Sequence, residues 1–230
     1  RSRIAVPGLE VLSLYGRSEN FVTTMCNTGD DQVLTTTSDG CAPEGVEIAA
    51  VDLDGNEVTP GDEGDLAYKG PGHMIEYFRQ PELNSELYTE TGFSRSGDLG
   101  TINDAGYLRV TGRLKDIIIR GGMNISANEI ENLILAHPSV QGVAIVAMPD
   151  EILGERACAF VVPTEGTRPS LNELTAYLRE EHNMAIQKLP ERLELVDALP
   201  LTAAGKVQKH TLRAEIAGKL KQEPSSASPT

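Results

Sequence analysis

The sequence predicts an α+β fold in two parts: a β-rich, barrel-like subdomain, then a small mixed α+β domain joined to it by a hinge. Three observations carry this. Short runs of strand character separated by Gly- and Asn-containing turns make residues 1–110 read as β-rich. Beyond Gly112 the apolar spacing alternates between strand and helix periods. Between the two lies the charged run Gly112-Arg113-Leu114-Lys115-Asp116. The expected division is residues 1–112, then 113–221 with the hinge near 113–116, then a disordered tail at 222–230.

In the first part, Val46 to Val51 alternates enough for a half-buried strand, and Asp54-Gly55-Asn56 supplies a hairpin turn. Leu66-Ala67-Tyr68-Lys69 follows the Gly61–Gly64 turn. A further hairpin runs through Asn103-Asp104-Ala105-Gly106 into Tyr107-Leu108-Arg109-Val110. Short strands at this spacing suit a small barrel or an antiparallel sheet.

In the second part, Asp116–Ile119, the turn Gly121-Gly122 and Asn124–Ser126 read as a hairpin. Ser126 with Glu129, and Ser170 with Glu173, are capping boxes that open helices. Ile130, Leu133 and Ile134 share one face of the first helix, which His137-Pro138 ends. Leu171, Leu174 and Leu178 line the second. Strands are expected at Val143–Ala147, Ala157–Val162 and Leu193–Leu195. Leu212, Ile216 and Leu220 mark a terminal helix.

Composition narrows the partners. The formal net charge is −14, which disfavours nucleic acid and anionic membrane surfaces. No run approaches the about 18 apolar residues of a membrane span, and the first residues lack the apolar core of a secretory signal. Cys26, Cys41 and Cys158 are far apart and odd in number. They read as free thiols in a reducing, cytoplasmic setting.

Four segments could carry chemistry. Tyr15-Gly16-Arg17-Ser18-Glu19 offers an aromatic face for a purine, a hydroxyl for a phosphate oxygen and a carboxylate for Mg²⁺; alone, it reads as a loop. Arg95-Ser96-Gly97-Asp98-Leu99-Gly100 sets a carboxylate on a tight loop, suited to a ribose diol or to a plain Asx turn. Gly112–Asp116 is a solvated linker or a hinge. In Leu199–Val207, Lys206 beside Gly205 is a mobile point charge for a phosphate, or an exposed surface lysine. It is no P-loop, because position 200 is Pro where that motif needs Gly.

In this order and at these separations, Tyr15–Glu19, Gly64–Tyr77, Ser96–Leu99, Gly112–Glu131 and Leu199–Lys206 resemble the successive core motifs of the adenylate-forming superfamily. That group contains acyl- and aryl-CoA synthetases, peptide synthetase adenylation domains and beetle luciferases. The similarity runs from about residue 10 to 215 and is most specific over Gly112–Glu131. It makes residues 1–112 the C-terminal portion of a large AMP-binding domain, and 113–221 the small C-terminal domain.

The resemblance implies a role for each position. Tyr15, with Gly16, would take the adenine. Ser18 stands where Thr is usual and would reach the phosphate, and Glu19 would bind Mg²⁺. Asp98 and Arg113 would hold the ribose hydroxyls, Lys115 would be the hinge and Lys206 the catalytic lysine. Gly121 and Gly122 would turn the hairpin that lines the coenzyme A tunnel. The implied substrates are a carboxylic acid, ATP and coenzyme A, and the resemblance leaves room for a homodimer.

The upstream Ser/Thr/Gly-rich phosphate loop of the superfamily has no counterpart here. The expectation is therefore a C-terminal part of a longer ligase, inactive alone, with acyl-CoA ligases the best match. The rivals are a peptide synthetase or carrier-protein-directed adenylation domain and, in a different class, a non-catalytic folding or interaction module.

Overall fold

The computed structural model describes residues 10–85 and 87–222 and divides into two compact units, Arg1–Leu114 and Lys115–Thr230. Of the tail expected at 222–230, Gln222 closes the last helix, and 223–230 lie outside the described residues.

The first unit begins with the antiparallel hairpin Leu14–Arg17 (β1) and Asn20–Met25 (β2). A short helix, Gln32–Thr37 (α1), follows, capped by the Asp31 carboxylate on the Val33 amide. Glu47–Val51 (β3), Glu63–Lys69 (β4), Ser94–Ile102 (β5) and Leu108–Arg113 (β6) form an antiparallel sheet in that order, with Pro81–Ser85 (α2) between β4 and β5. The barrel-like expectation is corrected here. Four strands form an open sheet, and no closed barrel exists among the described residues. Closure needs more strands, set at a consistent tilt and stagger. β4 is buried on both faces from Gly64 to Tyr68. Ala49, Val51, Ala67 and Phe93 cluster separately from Ala50, Leu66 and Leu108, against which Tyr15 and Val110 pack.

The second unit opens on a 3₁₀ turn, Leu114–Asp116, whose first residue still belongs to the first unit. The hairpin Ile117–Arg120 (β7) and Met123–Ser126 (β8) follows, then Ala127–Ile134 (α3). Val140–Asp150 (β9), Gly154–Pro163 (β10), Leu171–Glu180 (α4), Arg192–Leu195 (β11) and Lys209–Gln222 (α5) complete it. β10 is the spine of this sheet. It pairs antiparallel with β9 along its length, parallel with β11, and with β7 through Gly154 opposite Arg120.

The period-two alternation of β9 and β10 separates two cores. Ile145, Ala157, Ala159 and Val161 face Ile130, Ile134, Leu174 and Leu178 of α3 and α4. Ala144, Val146, Met148, Cys158 and Phe160 face Leu212 and Ile216 of α5. Each fully buried Leu or Ile contributes about 1.5–3 kcal/mol, so both faces matter to this small unit.

Ser170 and Glu173 form the complete capping box. At α3 the Ser126 hydroxyl accepts from the Glu129 amide, while the Glu129 carboxylate pairs with Lys188 at 2.8 Å.

Candidate active site

Asp98 is the centre of the first unit's polar cluster. It lies on β5 rather than on the tight loop expected from its flanking glycines. The reason is a bulge: β4 advances two residues, Asp65 to Ala67, while β5 advances four, Leu99 back to Arg95. Gly97 sits in the bulge at φ 68°, a left-handed backbone that glycine adopts without strain. The Gly97 amide donates to the buried Asp65 carboxylate at 2.9 Å, and the Asp98 amide to the Ser96 hydroxyl at 2.9 Å. Arg95 lies 3.7 Å from Asp65.

Two further sequence candidates meet on this carboxylate. The Tyr15 hydroxyl donates to Asp98 Oδ2 at 2.8 Å. The Arg113 guanidinium contacts Asp98 Oδ1 at 2.9 Å, with the Asp98 side chain 8% exposed and Arg113 46%. The pairing follows from register, since Asp98 stands opposite Arg113 across β5 and β6. Burial pushes the Tyr15 phenol well above its usual range, and the Asp98 carboxylate pushes the same way, so its hydroxyl stays a donor.

Ser18 and Glu19 form the two-residue turn between β1 and β2, closed by Arg17 opposite Asn20. Ser18 is exposed, and Glu19 is partly buried. The Tyr77 hydroxyl donates to Glu19 Oε1 at 2.7 Å, and Arg17 lies 3.6 Å from the same oxygen. Burial raises the Glu19 pKa. The Tyr77 hydrogen bond, a backbone amide and Arg17 outweigh it and hold the carboxyl below its usual value. The sequence places Tyr77 at the end of the Gly64–Tyr77 motif but gives it no role, because no local pattern ties it to a residue 58 positions away. Gly16 has a structural reason to be glycine: an added Cβ would sit 2.1 Å from the Phe21 carbonyl oxygen across the hairpin.

Lys115, Gly121, Gly122 and Lys206 belong to the second unit. Gly121 and Gly122 turn the β7–β8 hairpin at φ 56° and 83°, and the Gly121 amide donates to the Leu153 carbonyl at 2.8 Å. Lys206 is exposed on a tight turn. There the Thr202 amide donates to the Lys206 carbonyl at 2.8 Å and the Gly205 amide to the Thr202 carbonyl at 2.9 Å. Lys115 is exposed too, but its segment is a 3₁₀ turn rather than a loose charged linker. The Arg213 guanidinium caps the Lys115 carbonyl at 2.9 Å.

The residues fit a magnesium nucleotide. Glu19 Oε1 is engaged by Tyr77 and the carboxyl is kept ionised, as a hard cation requires. Among the described residues, no group of three or more His, Cys, Asp or Glu side chains could hold a metal. A cation here would take one carboxylate and complete its shell from phosphates and water, the usual habit of Mg²⁺.

Comparison with known proteins places the chain among AMP-binding enzymes. Residues 129–206 match the family model described as the AMP-binding enzyme C-terminal domain. The chain is 41% identical over 217 residues to a medium-chain fatty-acid–CoA ligase of Escherichia coli, covering 94% of this chain and 38% of that protein. It belongs to the adenylate-forming superfamily.

Other members extend the match. A 2,3-dihydroxybenzoate-AMP ligase of Bacillus subtilis is 39% identical over 94% of the chain and 40% of its own length. The crystal structure of ATP-bound MatB from Rhodopseudomonas palustris superposes with a TM-score of 0.84 at 34% identity, covering 91% of this chain and 41% of that one. The chain thus spans about two fifths of its superfamily relatives. No helix among the described residues is long and apolar enough to cross a membrane.

Proposed function

We propose that this chain is the part of an acid–CoA ligase that completes the nucleotide site and carries the switch between two half-reactions. The observation that carries the reading is the Asp98 carboxylate, buried and gripped by Tyr15 and Arg113. A carboxylate held this way is pre-oriented to accept from the two hydroxyls of a ribose. Arg113, half exposed, presents its guanidinium beside that carboxylate.

In this reading a carboxylic acid attacks the α-phosphorus of ATP, the bond to the bridging oxygen breaks, and pyrophosphate leaves. Charge builds on the phosphoryl oxygens, so catalysis is chiefly positioning and electrostatic stabilisation. Lys206, projecting from its rigid turn, supplies the mobile cation. Tyr15 and Gly16 receive the adenine, Ser18 reaches a phosphate oxygen, and Asp98 and Arg113 hold the ribose. Glu19 would hold Mg²⁺, which would supply charge neutralisation at the phosphates. A rotation at Lys115 then withdraws Lys206 and presents the Gly121-Gly122 hairpin. The thiol of coenzyme A attacks the acyl carbonyl, its proton passes to solvent, and AMP leaves. The setting is cytoplasmic.

A carrier-protein-directed adenylation enzyme is the second reading, because an aryl-AMP ligase is among the relatives. Measured on the full-length protein, the rate of AMP release with and without free coenzyme A separates the two. Acceleration by the thiol supports the CoA ligase, and indifference to it favours a carrier. Absence of any acid-dependent ATP–pyrophosphate exchange would leave only the non-catalytic module.

A further inference from the structure

We infer that Arg213, on α5, is a positioning residue that fastens the moving end of the hinge and ties it to the turn carrying Lys206. This rests on the reading of Lys115 as the hinge. The Arg213 guanidinium donates to the Lys115 carbonyl at 2.9 Å and to Asp116 Oδ1 at 2.5 Å. Lys209, one helical turn earlier on α5, lies 3.7 Å from Asp116 Oδ2 and 2.7 Å from Glu131 Oε1. The same Glu131 oxygen accepts from the Ile145 amide of β9 at 2.6 Å.

The hinge segment is thereby clamped by Arg213 and Lys209 of α5, and Lys209 is in turn braced by Glu131 of α3, which is held on the backbone of β9. These are not screened surface pairs, since Asp116, Lys209 and Glu131 are 15–16% exposed and Arg213 30%.

The consequence is mechanical. With the Lys115 carbonyl and Asp116 held, backbone rotation is confined to the bonds on the N-terminal side of that carbonyl. α5 is anchored beneath by Leu212 and Ile216. Three residues ahead of Lys209, the Lys206 turn is fixed to the same helix end. The Gln208 amide donates to the Pro200 carbonyl at 2.8 Å, and the Gln208 side chain to the Leu201 carbonyl at 3.0 Å. A rotation at Lys115 is therefore delivered to Lys206 without slack.

The test is tryptic cleavage after Lys115 in the 230-residue chain, because the scissile carbonyl is the one that Arg213 holds. Arg213→Ala should raise the rate at this bond about tenfold, the factor one charged hydrogen bond is worth in a local opening equilibrium. Asp116→Asn should raise it less. Lys219→Ala removes ion pairs to Glu194 and Glu215 from the same helix and should leave it unchanged. Equal rates in all four proteins would overturn the inference. So would a matching rise in Lys219→Ala, or general digestion of Arg213→Ala with no rise at Lys115 in Asp116→Asn.

In the full-length protein, Arg213→Ala should slow both half-reactions, adenylation by roughly tenfold or more through misplacement of Lys206. Unchanged rates would deny the clamp any part in positioning. A full-length protein with no adenylation at all, yet with the Lys115 cleavage pattern intact, would refute the ligase reading and leave the clamp standing.

Discussion

Tyr15 donates its hydroxyl proton to Asp98 at 2.8 Å across 83 residues of sequence, joining the first hairpin to the central sheet of the same unit. Tyr15→Phe keeps the ring and deletes the donor, leaving one oxygen of a buried carboxylate short of a partner. The variant should lose about 1–3 kcal/mol of stability, read as a lower urea midpoint. In the full-length protein, ATP affinity should fall as well.

The glycines give a sharper test of backbone argument. Gly16→Ala would drive a Cβ into the Phe21 carbonyl, and Gly97→Ala would force a side chain onto a backbone at φ 68°. A Cβ at Gly97 meets nothing within 4 Å. Gly97→Ala should therefore cost only the strain, on the order of 1–2 kcal/mol. Gly16→Ala should cost more and disorder the hairpin, as read by amide hydrogen exchange over residues 14–25.

These two glycines mark how far the sequence can be read. The second unit was legible almost element by element, because its signals are local: the Ser170–Glu173 box, the Gly121-Gly122 turn, and the four-residue spacing of Leu212 and Ile216. The first unit was read less well. β1 and β2 look like a loop until β2 is seen bonding back, and α1 and α2 are too short to show a period. Asp98 was expected on a loop because nothing in its flanks shows that Asp65, on β4, stabilises a bulge around Gly97. The candidate site was named through the order of its motifs. Its supports, Tyr77 and Asp65, are partners only in space.

Glu19 sets a pH dependence. Its folded pKa lies below the unfolded one, so its stabilising contribution is complete above the unfolded value of about 4.3 and is lost as pH falls through the lower folded value. Tyr77→Phe removes a hydrogen bond that lowers it and should move that loss to higher pH. Acid titration of the two chains, followed by carboxyl NMR shifts, measures the difference.

Glu131 has the opposite sign. Burial raises its pKa, against the pull of Lys209, so the stability tied to its protonation is present at low pH and declines as pH rises through the folded value. Glu131→Ala leaves Lys209 without its 2.7 Å partner and should cost about 3 kcal/mol or more. Glu131→Gln keeps an acceptor for the Ile145 amide and should cost less, as thermal unfolding would show.

Thiol chemistry should be selective. Cys158 is fully buried and its pKa is pushed up to about 12, chiefly by burial, while Cys26 is buried and Cys41 partly exposed. Alkylation of the native chain at neutral pH, followed by peptide mass analysis, should find Cys41 modified well before the other two.

The central claim is that one unit serves two half-reactions by turning about Lys115, and Lys206→Ala in the full-length protein tests it most directly. Losing this cation should cost adenylation on the order of 3 kcal/mol or more, measured as ATP–pyrophosphate exchange. Thioester formation from a preformed acyl-adenylate should proceed at the unaltered rate. Equal loss of both half-reactions would contradict the account.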